Sequence, residues 1–139
     1  MKCMEVTARL AEEIPRGNLR VSRTQFVLLW RLAEHLTESS RTDWYVAGVA
    51  AACRWLARAT VPSIVGGWEP ARAPVTRRVN LAHEELIAAE LMAAEVAAIR
   101  NPSGIEGRPG WLEGILMTLR WAWAGSSKVP LAMPSTSTG

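Results

Sequence analysis

Aromatic residues other than tryptophan are almost missing from this 139-residue chain: one phenylalanine and one tyrosine stand beside seven tryptophans. Lysine is scarce in the same way, two residues against fourteen arginines, and aspartate occurs once, as Asp43. Two cysteines, Cys3 and Cys53, are too few for a disulfide framework in a chain of this size. Neither belongs to a CxxC pair, and the two histidines, His35 and His83, are far apart, so structural zinc spacing is missing and no metal is expected. No uncharged apolar run reaches the roughly 18–20 residues that span a bilayer. The longest, residues 44–59, is broken by Arg54 and Arg58. Residues 1–5 lead into Arg9, Glu12 and Glu13, where a secretory leader would need an apolar stretch. The expectation is a cytoplasmic protein without a membrane partner. GxGxxG and GxxxxGK[ST] phosphate-cradling signatures are also missing, so no cofactor is expected.

What is present is skewed toward tryptophan and arginine, the usual anchors of buried interfaces. A plainer cause competes with binding. Codons for Trp, Arg, Ala and Gly are GC-rich, and a GC-rich bacterial or phage genome yields this alphabet with no selection for partners. Composition alone favours the codon reading, and only the positions of the tryptophans can shift it. The apolar fraction, 49%, is that of an ordinary globular chain. A net charge of +3 permits contact with nucleic acid without requiring it.

Periodicity predicts an all-α protein, a single compact bundle of about four principal helices over residues 1–125, followed by a flexible tail over 126–139. Val6, Leu10 and Ile14, spaced by four, allow a short helix over 5–14 that Pro15 and Gly17 end. The first principal helix spans 23–37, opened by the capping-box pair Ser22 and Gln25. The second spans 43–60, capped by Thr42 or Asp43 and stopped by Pro62. Residues 61–79, with three prolines and Gly66-Gly67, read as an ordered but irregular linker. The third helix, 81–100 behind Asn80, carries two apolar stripes. One is Leu81, Ala88, Met92, Val96 and Ile99; the other is Ile87, Leu91, Ala94 and Ala98. Two stripes call for two neighbours, which the other helices of one chain can supply. The fourth helix spans 110–124, with Gly125 at its end.

Three functional classes compete. Protein interaction, with a partner or a second copy, rests on tryptophan placement. Trp121 and Trp123 are two apart, so a helix points them roughly 160° from each other. If Trp123 joins Leu112, Leu116 and Leu119 in the core, Trp121 lies off it beside Gly114 and Met117. Trp44 and Trp55 likewise lie off the main core face of their helix, separated by the small residues Gly48 and Ala51. Trp44, Trp55, Trp121 and Met117 are therefore the interaction candidates. The competing view is that these stripes meet inside the bundle, with Trp121 covered by the N-terminal segment or the linker. A small nucleic-acid-associated regulator is the alternative. Its basic loop, Arg72, Arg77 and Arg78, could hold phosphates, although the second helix, with only Arg54 and Arg58 on its polar flank, lacks base-reading chemistry. An enzyme using His83 and the nearby Glu84, Glu85 and Glu90 comes third. Only His83 and Glu90 share a helix flank there, no nucleophile motif accompanies them, and an ion-pair role for His83 is the more ordinary reading.

Overall fold

Five helices and one β-hairpin make up the computed structural model, which describes residues 5–40 and 42–132. Expectations for Cys3, Arg41 and residues 133–139 lie outside the described residues. Helix α1 (Ala8–Glu12) is capped by Thr7, whose hydroxyl accepts the Leu10 N–H at 3.2 Å. It is shorter than the 5–14 expected: a proline disfavours helical backbone at the residue before it, and Ile14, ahead of Pro15, drops into the core. A 3₁₀ turn (Arg16–Asn18) follows.

Helix α2 (Arg23–Ser39) begins where the capping pattern places it, with the Ser22 hydroxyl accepting the Gln25 N–H at 3.1 Å. Helix α3 (Trp44–Leu56) is capped by Asp43, which accepts the Val46 N–H at 3.2 Å. It ends before the expected Thr60. Arg58 takes a left-handed backbone (φ 56°), and the chain leaves the helix to form strand β1 (Thr60–Pro62). Pro62 is therefore a strand residue and not the helix stop.

Strand β2 (Trp68–Pro70) pairs antiparallel with β1 in the register Thr60 to Pro70, Val61 to Glu69 and Pro62 to Trp68. This hairpin replaces the first half of the expected irregular linker. Gly66 and Gly67, at φ 100° and 75°, make the left-handed turn that glycine adopts without strain. The prolines concealed it, since they fit only a strand whose missing N–H faces away from the ladder.

Helix α4 (Glu84–Arg100) starts three residues later than expected, behind His83. The carbonyls just ahead of it are already taken. Asn80 O accepts the indole N–H of Trp55 at 3.2 Å, and Ala82 O accepts Arg58 Nε at 2.7 Å and Asn18 Nδ2 at 3.1 Å. Helix α5 (Trp111–Ala122) follows Gly110 (φ 90°).

The packing order is α2 on α3, α3 on α5, and α5 on α4, so α3 and α5 form the centre. They approach closely at two glycines. A methyl group at Gly48 would overlap the Trp111 carbonyl oxygen, and one at Gly114 would overlap that of Tyr45. The stripe of small residues on α3, taken in the sequence for the space between two outward indoles, is this helix contact.

The segment after Gly125, expected as a flexible tail, is held further along. The Tyr45 phenol donates to Pro130 O at 2.8 Å, and Leu131 packs on the core. Burial, then the nearby Glu113 and Asp43 carboxylates, raise the Tyr45 pKa, so the phenol keeps the proton this bond needs.

Replacing glycine by alanine inside a helix ordinarily stabilises it by about 1 kcal/mol. Here Gly48→Ala and Gly114→Ala are each expected to destabilise by about 3 kcal/mol, because backbone must move to admit the methyl group. Denaturant melts read the sign directly.

Candidate interaction surface

The core claims more of the tryptophans than their sequence positions suggested. Trp30 and Trp55 are fully buried, and Trp121 is 4% exposed. Trp123 is the half-buried one, with the Arg20 guanidinium 4.0 Å from its ring centroid. The expected assignment of these two indoles is thus reversed. Because α5 lies between α3 and α4, a side chain off the leucine face is still inside; Glu113 alone on this helix is exposed. Trp123 sits at the C-terminal cap, beyond the helix. The N-terminal segment also closes this end, with Arg20 N–H donating to Ala122 O.

Of the four interaction candidates, Trp55 and Trp121 are within the core, while Trp44 and Met117 are half-buried. Arg108 lies between the rings of Trp44 and Trp111, 5.6 and 5.3 Å from their centroids. Such cation–π contacts use tryptophan and arginine to tie the 101–110 loop to α3 and α5.

Of the two arginines expected on the polar flank of α3, Arg58 is exposed with its Nε donating to Ala82 O, while Arg54 is engaged with a buried carboxylate. Arg54 Nε and Nη2 donate to the two carboxylate oxygens of Glu34 at 2.7 and 2.6 Å, and Trp30 Nε1 donates to the same carboxylate at 3.0 Å. This fork, buried at Glu34 and half-buried at Arg54, joins α2 to α3. Cys53 is enclosed beside it. Burial, with Glu34 adding and Arg54 opposing, pushes its thiol well above the ordinary range, so Cys53 acts as a small apolar residue.

The basic loop is ordered by one side chain. Glu90, 3% exposed, accepts the Val75 and Thr76 N–H groups at 2.6 and 2.9 Å and the Thr76 hydroxyl at 2.8 Å. Arg72, Arg77 and Arg78 all face solvent around this clamp, Arg77 with a left-handed backbone (φ 63°). Beneath the loop is a cavity of about 130 Å³ bordered by Trp55, Thr76, Asn80 and Glu90. That is below the few hundred Å³ of ordinary ligand pockets. His83 is exposed ahead of α4, while Glu90 turns inward to the loop, so the two do not converge.

The largest departure from expectation is on α4. Its stripe Ile87, Leu91, Ala94 and Ala98 faces inward, Ile87 and Ala94 fully buried and Leu91 and Ala98 half-buried. The second stripe does not find a neighbour within the described residues. Met92 is 67%, Val96 40% and Ile99 80% exposed, and Ala88 is exposed with them. These four lie within about 80° of arc. A second apolar patch caps the hairpin, where Ile64, Val65 and Trp68 stand in solvent. The sequence carried the α4 signal, since both stripes were legible there; what it could not tell was how many neighbours the chain supplies.

No protein-family model matches this chain, and neither a curated protein nor a solved structure matches it.

Glu90→Ala should release the loop. The expected loss is about 2–3 kcal/mol, with amide exchange at Val75 and Thr76 rising to that of an open loop. Unchanged protection at both amides would show that other contacts hold the segment.

Proposed function

We propose that this chain is a non-catalytic interaction or accessory protein of the cytoplasm, built as a bundle of about four principal helices, and that its main contact surface is the outer face of α4. The observation that carries this reading is the row of Met92, Val96 and Ile99 exposed along one face of a regular 17-residue helix. Contiguous apolar surface of this kind marks contact sites on soluble proteins. The hairpin tip adds Trp68 as an anchor of the type that dominates interfaces. Trp44, with Arg108 against it, is a second tryptophan- and arginine-bearing surface. Trp55 and Trp121 serve the core instead, and support the surface indirectly by positioning α5 and the segment ahead of α4.

The test is the double substitution Met92→Glu with Ile99→Glu. A melting temperature within about 2 °C of the parent is expected, as for exposed sites, with capture of protein from a cell extract reduced at least tenfold. A large loss of stability, or undiminished capture, would reject this face as the contact surface.

Nucleic-acid association remains the second reading, favoured by the exposure of Arg72, Arg77 and Arg78 on a clamped loop. Binding to generic duplex no tighter than about 10 μM at physiological salt is expected, the range of non-specific contact. Submicromolar binding abolished by alanine at these three arginines would put the regulator reading first. Catalysis by His83 and neighbouring glutamates ranks last, because a general base must share reach of one reacting atom with its partner groups.

A further inference from the structure

We infer that the partner of the α4 face is a second copy of this chain, paired antiparallel about a two-fold axis at Met92; the inference rests on the interaction reading above and names the occupant.

The distribution of charge and size along the exposed face supports this arrangement. The first turn of α4 carries Glu84 and Glu85, and the last turn carries Arg100. Between them the exposed apolar residues are the small Ala88 and Ala89 in the first half and the larger Met92, Val96 and Ile99 after them, with Glu95 exposed beside the row. Reversing one copy against the other about Met92 sets Ala88 of each helix against Val96 of its partner, with Ile99 opposite the side chain of Glu85. At that pair a large side chain meets a small one, as interdigitating helix faces favour. The same operation brings Glu85 beside Arg100 of the other copy, twice per dimer, and opposes the two helix dipoles. A parallel pair would instead set Glu85 against Glu85 and Arg100 against Arg100. One two-fold operation satisfies both copies and closes the assembly. The helix is about 25 Å long, so the buried area lies at the small end for specific interfaces and the association should be weak.

Sedimentation equilibrium of the full chain, loaded from about 5 to 500 μM to bracket a weak Kd, reads the outcome. The expected result is a mass rising from 15.2 kDa toward twice that value. Met92→Glu, which puts two carboxylates on the axis, should remain at monomer mass throughout, with helical content and melting unchanged. At low salt, Glu85→Arg or Arg100→Glu alone should weaken association about threefold to tenfold. Combining the two should restore it to within about twofold.

Monomer mass at every loading overturns the inference. So does a dimer indifferent to Met92→Glu, or a double charge swap no better than the single ones. A strictly monomeric protein that still captures another protein through α4 would reject self-pairing alone. Monomer mass without capture would reject the interaction reading with it.

Discussion

Contact between the backbones of α3 and α5 at Gly48 and Gly114 is the constraint on which the remaining packing depends. With no side chain between them there, the two helices form a narrow central pair. Almost every residue on both is buried or half-buried. Helices α2 and α4 are left as the outer elements, one against each. This placement encloses Trp121, although it lies off the leucine face of α5. It also leaves the second apolar stripe of α4 uncovered among the described residues. The same glycines thus decide both which tryptophans are core and which helix presents apolar surface.

Around that centre, buried polar groups hold the non-helical chain. Glu34 receives Arg54 and the Trp30 indole, Asn18 reaches the carbonyls of Leu56 and Ala82, and Glu90 gathers the 75–76 backbone. A buried charge or amide is costly unless paired. Among the described residues, every buried side-chain nitrogen and oxygen has a partner. These bonds fix the long segment between α3 and α4 without requiring a larger apolar core. The abundant arginine has a use here that codon bias alone does not describe: Arg54 forks a carboxylate, while Arg20 and Arg108 stack on indoles.

Local chemistry was legible in the sequence wherever it operates over a few residues. The caps at Ser22 and Asp43, the end of α4 at Asn101 and the mostly helical character follow from side chains interacting with backbone three or four positions away. The hairpin was concealed because two prolines outweighed the Gly66-Gly67 turn signal. The late start of α4 depends on Asn18, Trp55 and Arg58, all distant in the chain.

By itself, then, the sequence determined where helices can form and that α4 is apolar on two sides, because periodicity and capping are properties of short stretches. Tertiary structure decided which sides are covered. Burial depends on the order in which helices pack, and that order follows from the Gly48–Gly114 approach, the Glu34–Arg54 fork and the docking of residues 130–131. Each joins residues twenty or more positions apart, beyond the reach of any local pattern.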